Sequence, residues 1–243
     1  MMKERPMSEH EQVTGMLSAK NAAPLALDPA RAALIIVDMQ RYFTQPSFPF
    51  TDLFEKMSPG VCSGYLSRVR ETVIPSIRRL LDHFRKNGSL VVFTAVGTET
   101  RDGSDLACWA RALDEAGLNL LGTRIHPPVG DPSWQIDPAL EPRAGEIVVN
   151  KLSAGTFATT DLAEQLRSRG IDRVVVAGVV TDVCVSTTAR EAADRNFTVV
   201  VVSDACTTFS EKLHQANMET LHVFGWVRET DEVIRMTRHA LRS

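Results

Sequence analysis

Three residues far apart in the chain, Asp38, Lys151 and Cys184, are of the types that acyl transfer to water requires. Cys184 closes the run Gly178-Val179-Val180-Thr181-Asp182-Val183-Cys184, where an apolar stretch gives way to a helical pattern. A cysteine in the first turn of a helix faces unpaired N–H groups and the positive end of the helix dipole, and both favour the thiolate. A lysine ammonium beside it would favour ionisation further, and an aspartate could take the thiol proton as general base. Free N–H groups at the same turn could bind the oxyanion of a tetrahedral intermediate. Each residue also has a commoner use: a lone cysteine after a strand packs as a small hydrophobe, an aspartate there makes a turn, and a lysine is solvated. The joint reading needs one structure that brings all three together.

The surrounding pattern supplies such a structure. Ala32 to Asp38 is a short, continuous apolar run ending in a carboxylate, which reads as a strand buried on both faces. Further strands are predicted over 90–96, over 147–149 delivering Lys151, over 174–177, over 199–202 and over 222–227. Helical periodicity covers 66–84, 161–169, 182–195, 213–221 and 229–241, with a short helix near 106–116. Asp161 and Glu164 have capping-box spacing. The segments 44–64 and 97–145, rich in Pro, Gly and Ser, read as loops. Apolar strands alternating with helices predict an α/β fold: a single three-layer doubly wound domain with a mostly parallel six-stranded sheet. In such a sheet ligands bind beyond the carboxyl ends of the strands, and Asp38, Lys151 and Cys184 all fall on that rim.

The bulk numbers suit this reading. The 243 residues fit one domain over 26–243, preceded by a polar, aperiodic segment at 1–25 read as a flexible arm. A net charge of −3 gives no basic excess for nucleic acid. No apolar run approaches a membrane span, and nothing at the N-terminus resembles a signal peptide, so the expected location is the cytoplasm. Cys62, Cys108, Cys184 and Cys206 include no C-x-x-C pair, which argues against a zinc knuckle or a redox dithiol.

The residues around the three candidates resemble the isochorismatase-like cysteine hydrolases. Ala33 to Phe43, with Asp38-Met39-Gln40-Arg41-Tyr42-Phe43, is similar to the family's opening strand. Lys151 to Ser153 and Phe157 to Leu162 are similar to its lysine loop, and Gly178 to Thr188 to its nucleophile turn. The resemblance implies Cys184 as nucleophile, Asp38 as base and Lys151 as the cation that holds the charges in register. It implies a non-proline cis peptide at Val179–Val180, an oxyanion hole made by the N–H groups of Val180 and Cys184, and substrate contacts at Phe43 and Val179. Phe157 and Trp134 are further pocket candidates. The implied activity is hydrolysis of a carbon–nitrogen bond in a small linear amide or ureide through a thioester, with no cofactor and no metal, in a homo-oligomer of two or four chains.

Departures from the pattern narrow the range. No histidine occurs from Asp38 to Leu81, where nicotinamidases of this family carry metal ligands. Cys184 argues against the vinyl-ether hydrolases that share the fold. Thr181 to Thr188 with Arg190-Glu191-Ala192 resembles biuret-type members, but Ala154 stands where those carry a second lysine; Phe224-Gly225-Trp226-Val227 resembles ureidoacrylate-type members. The rival functions are a vinyl-ether hydrolase and a non-catalytic redox or small-molecule-binding protein. Gly60-Val61-Cys62-Ser63-Gly64 mimics a nucleophile elbow but lacks the preceding strand. Cys206 is expected to be packed, Cys108 to lie on a helix face, and His126 to be a solvated loop residue. Arg101, Arg111 and Arg124 read as surface cations.

Overall fold

The computed structural model describes residues 15, 16, 19 and 22–240. Six strands form the predicted sheet: β1 (Ala32–Val37), β2 (Leu90–Val96), β3 (Ile147–Lys151), β4 (Arg173–Val179), β5 (Thr198–Thr207) and β6 (Trp226–Arg228). Their order is β3-β2-β1-β4-β5-β6, and every pairing is parallel. The chain runs outward from β1 in one direction and, after β3, returns to lay β4 against β1's other edge. That reversal makes a topological switch point at the carboxyl ends of β1 and β4, the place where doubly wound sheets bind ligands.

Strand alternation builds two cores. Leu34 and Ile36 point to one face of the sheet and Ala33, Ile35 and Val37 to the other, and all are fully buried. Over the first face lie α1 (Arg41–Thr44), α2 (Pro49–Met57), α3 (Val61–Arg68) and α4 (Ile74–Lys86), with a π-helical turn at Val69–Val73 joining the last two. α5 (Cys108–Leu121) packs on α2. α6 (Leu162–Ser168), α7 (Ser186–Asp194) and α8 (Glu211–Leu221) place Leu162, Leu166, Ala189, Ala192, Met218 and Leu221 on the second face. The final helix, α9 (Thr230–Ala240), returns to the first face through Val233.

Several boundaries differ from the sequence reading. The segment 44–64 is not a loop: Pro49 occupies the first turn of α2, where its missing N–H costs nothing, and Gly60, at φ +88°, precedes α3. Cys62 therefore sits in the first turn of a helix with no strand before it. Asp161 precedes α6 but makes no capping hydrogen bond; its carboxylate accepts from Gln165 Nε2 at 2.8 Å instead. β5 extends to Thr207, and β6 is only the three residues Trp226–Arg228. The arm predicted over 1–25 lies outside the described residues apart from 15, 16, 19 and 22–25; Ala23 O accepts from Trp226 Nε1 at 3.2 Å. No described helix is long and apolar enough to cross a membrane.

Candidate active site

β1 delivers Asp38 directly. The strand ends at Val37, and Asp38 turns out of it at φ +51°, a left-handed conformation that aspartate tolerates better than bulkier residues. Its N–H still bonds to β2, donating to Thr94 O at 3.1 Å. Thr94 Oγ1 donates to Asp38 Oδ1 at 2.6 Å, which fixes the carboxylate's orientation. Both side chains are wholly buried.

Lys151 ends β3 in register with Val96 of β2. Its ammonium is also wholly buried and lies 2.8 Å from Asp38 Oδ2. Two of its N–H bonds go to the carbonyls of Ser153 and Ala154, each at 2.8 Å. The Asp38 contact falls outside hydrogen-bond angles, so Oδ2 keeps hydrogen-bonding capacity towards a third group. Burial, the largest single influence, would lower the lysine's proton affinity; the acidic neighbours, Asp38 first and Cys184 next, together outweigh it, and the ammonium is held above its ordinary range.

β4 supplies the third residue through a close approach. Gly178, at φ +128°, lies against β1 so tightly that a Cβ would fall 2.1 Å from Val37 O. The Val179–Val180 peptide bond that follows is cis. The chain then enters a π-helical turn at Thr181–Val185, in which the N–H groups of Val183 and Val185 both reach Val180 O at 3.2 Å. Cys184 sits in this turn, 4% exposed, close enough to both Asp38 and Lys151 for their charges to act on its thiol. Burial raises the thiol well above its ordinary value; the Lys151 charge opposes this and the Asp38 charge adds to it. Burial thus works against the ionised sulfur that the sequence pattern favours, and it outweighs the Lys151 charge.

The remaining candidates surround this centre unevenly. Val179 is fully buried and Val180 8% exposed. Phe43 packs against Tyr42 and Phe50, at ring-centroid distances of 4.0 and 4.6 Å. Phe157 is a core residue, stacked on Phe197 at 5.8 Å. Trp134 anchors the long loop: its Nε1 donates to Asn150 Oδ1 at 3.0 Å and its carbonyl accepts from Gln40 Nε2 at 2.7 Å. His126 is not a solvated loop residue; it is buried, with Nδ1 2.8 Å from Asp114 Oδ1. Arg124 is 3.5 Å from the same carboxylate. Cys206 is packed, its thiol pushed up to about 12 by burial, and Cys108 is exposed at the start of α5. Among the described residues no group of three His, Cys, Asp or Glu is arranged to hold a metal ion.

Two supporting residues carried no role in the sequence reading. Gln40 is buried and spans from β1 to β2, with Oε1 accepting from Val96 N at 2.7 Å and Nε2 donating to Val96 O at 3.1 Å. Thr94 orients Asp38. Their signal was a polar residue inside or just after an apolar strand, which must have a partner if buried.

The sequence model of the Isochorismatase domain matches residues 32–232. The ureidoacrylate amidohydrolase RutB of Serratia proteamaculans is 30% identical over 243 residues, covering 93% of this chain and 90% of its own. The isochorismatase family protein YwoC of Bacillus subtilis is 31% identical, covering 88% of this chain and 98% of its own. A cysteine hydrolase from Pseudomonas syringae pv. phaseolicola superposes with a TM-score of 0.72 at 28% identity, covering 90% of this chain and 99% of that one. The match spans the whole sheet and all three buried polar residues, and the chain belongs to the isochorismatase family of hydrolases, in the branch that includes amidohydrolases.

Proposed function

We propose that this protein is a cysteine-dependent amidohydrolase that cleaves a carbon–nitrogen bond of a small linear amide or ureide. The observation that carries the reading is the Lys151–Asp38 contact at 2.8 Å, with no solvent exposure of either side chain and with Cys184 buried within reach of both charges. A buried ion pair is costly and weak evidence of stability by itself; placed near a thiol at the switch point of the sheet, it has a chemical use.

In the proposed cycle the thiol proton passes to Asp38 as the sulfur attacks the substrate carbonyl carbon. The N–H groups of Val180 and Cys184 take the oxyanion. Protonated Asp38 gives the proton to the departing ammonia or amine, leaving a thioester. Asp38 then draws a proton from water, which attacks the thioester; the acid leaves and the thiol is restored. Lys151 keeps its proton throughout and compensates the anion, wherever it resides. Phe43 and Val179 are proposed to wall the substrate, with Trp134 and Phe157 shaping the pocket from behind. The ureidoacrylate amidohydrolase relatives support a ureide or carbamoyl group as the cleaved moiety.

The test is an ammonia-release screen of the purified protein over linear ureides, carbamoyl amino acids, maleamate-like amides and aromatic amides. Cys184→Ala, Asp38→Asn and Lys151→Ala are each expected to abolish turnover while remaining folded by circular dichroism. Ammonia release that survives Cys184→Ala would overturn the cysteine mechanism; hydrolysis of a vinyl ether, with no ammonia released, that survives the same substitution would instead favour acid catalysis. The reading includes a homo-oligomer, which light scattering of the purified protein tests.

A further inference from the structure

We propose that Glu191 is a positioning residue: its carboxylate pins the loop 152–160, so that the carbonyls of Ser153 and Ala154 hold the Lys151 ammonium against Asp38 and Cys184. The proposal rests on the triad reading above and adds a residue that touches none of the reacting atoms.

Two of Lys151's three N–H bonds go to those two carbonyls, so the ammonium can be no better placed than the loop that presents them. Residues 152–160 contain no helix or strand, and the grip comes from outside. Phe157 N donates to Glu191 Oε2 at 2.8 Å. The hydroxyls of Thr156 and Thr188 are 3.0 Å apart, both buried. Arg195, just past the end of α7, places Nη2 3.5 Å from Phe157 O and its guanidinium 5.7 Å from that ring's centroid. Thr188 and Glu191 are spaced i, i+3 on one face of α7, and Arg195 follows just beyond its end. The same helix starts two residues after Cys184. One rigid element therefore carries the sulfur at its mouth and the grip on the lysine loop along its side.

Gly155 shows how close that grip is. A Cβ at this position would lie 2.3 Å from the Cδ and both carboxylate oxygens of Glu191. The glycine is not in the left-handed region; only room for the carboxylate requires it. An ordinary surface role for Glu191 is not what the structure holds. Among the described residues no cation pairs with its carboxylate: Arg195 Nη1 goes to its backbone carbonyl at 3.1 Å, and Arg190 lies over the Phe224 ring at 4.5 Å.

The experiment compares Glu191→Ala, Glu191→Gln, Gly155→Ala and the Gly155→Ala/Glu191→Ala double variant with wild type, with Lys151→Met as control. One readout is kcat and KM on an amide found in the ammonia screen. The other needs no substrate: the rate at which Cys184 is alkylated by iodoacetamide, itself a small linear amide, followed on the Cys184 peptide by mass spectrometry. Glu191→Ala is expected to lower kcat by about tenfold to a hundredfold with KM little changed, the usual scale for a residue that orients a catalytic group. It is also expected to slow alkylation in the direction that Lys151→Met does. Glu191→Gln, which keeps an acceptor for Phe157 N, recovers most of both. Gly155→Ala alone falls as far, yet adds nothing once residue 191 is alanine, because the clash has gone. The proposal is overturned if Glu191→Ala stays within about twofold of wild type in both readouts, or if Gly155→Ala costs the same factor in both backgrounds. If Lys151→Met is alkylated at the wild-type rate, the ammonium does not act on Cys184; the triad reading then fails, and the proposal falls with it.

Discussion

The pairing of Asp38 with Lys151 makes a quantitative prediction about stability. Both side chains are fully buried and their charged atoms are 2.8 Å apart. At an effective dielectric of 20 the attraction is about 6 kcal/mol, largely offset by the cost of taking both ions out of water. Removing one partner forfeits the attraction and leaves the other ion's desolvation in place, so Lys151→Met and Asp38→Asn should each destabilise the protein by about 3–5 kcal/mol. Lys151→Met should cost more. It leaves an anion for which, among the described residues, the Thr94 hydroxyl is the side-chain donor, whereas Asp38→Asn leaves an ammonium that still has two carbonyl acceptors. The double variant Asp38→Asn/Lys151→Met removes both charges and should recover part of the loss, so its cost falls short of the sum of the single costs. Urea unfolding at pH 7 with linear extrapolation gives all three values. Costs that add to within about 0.5 kcal/mol would refute the reasoning, since residues in direct contact within a buried charge pair should not be additive. The pH dependence supplies a second check. Lys151's folded-state proton affinity lies above its ordinary value of 10.5, so its contribution to stability is complete below pH 10.5 and is lost as pH rises through the folded value. That alkaline loss should be absent in Lys151→Met.

Three further outcomes follow from single contacts. Thr94→Val removes the hydroxyl that donates to Asp38 Oδ1 at 2.6 Å; a hydrogen bond to a charged group contributes about 1.5–3 kcal/mol, so kcat on an amide substrate should fall by roughly tenfold to a hundredfold, as steady-state kinetics would show. Phe50 is buried, 4.6 Å from Phe43 and 4.9 Å from Phe54 by ring centroids; Phe50→Ala should destabilise by about 3–5 kcal/mol, read by thermal or urea unfolding. Burial raises the Cys206 thiol from 9.0 to about 12, so its contribution to stability is present below pH 9 and lost between pH 9 and about 12. In Cys206→Ala the fall of unfolding free energy with pH over that window should be shallower by up to about 1.4 kcal/mol per pH unit, measured by urea titrations at several alkaline pH values.

What the sequence makes legible follows from how local each cause is. The six buried strands show as apolar runs because a parallel sheet covered on both faces leaves no polar alternation to confuse the pattern. Asp38, Lys151 and Gly178 to Cys184 stand at the ends of those runs, so the topology alone brings them to one rim. The misread segments are ones where a single residue has two meanings. Pro49 and Gly60 read as breakers, yet they mark the starts of α2 and α3. β5 is underestimated because Ser203 and Asp204 interrupt its apolar run. Asp204 is polar because it serves a distant partner: Oδ1 accepts from the N–H and hydroxyl of Thr230, and Oδ2 from Ser76. His126 looks like a loop residue for the same reason, since the carboxylate that buries it lies twelve residues earlier on α5. The protonation of Cys184 is the least legible feature. The helix start and the ammonium can be read from the chain, but the desolvation that outweighs them depends on every residue packed over the site.

A neutral thiol is consistent with the proposed reaction once charges are counted. At rest the site holds one anion on Asp38, one cation on Lys151 and a neutral sulfur. Passing the thiol proton to Asp38 gives one anion on sulfur, the same cation and a neutral acid. No net charge is created, so burial, which strongly opposes loss of the proton to solvent, bears far less on this internal transfer. The cation has to serve the anion at either site without moving, because reorganising a buried charge during the reaction would return the advantage. Lys151 meets that requirement through the carbonyls of Ser153 and Ala154, each of which accepts from its ammonium at 2.8 Å. The proposed cycle therefore depends less on an activated sulfur waiting in the free protein than on a fixed cation that serves both protonation states of one buried pair. That places the lysine loop, and whatever holds it, at the centre of the chemistry.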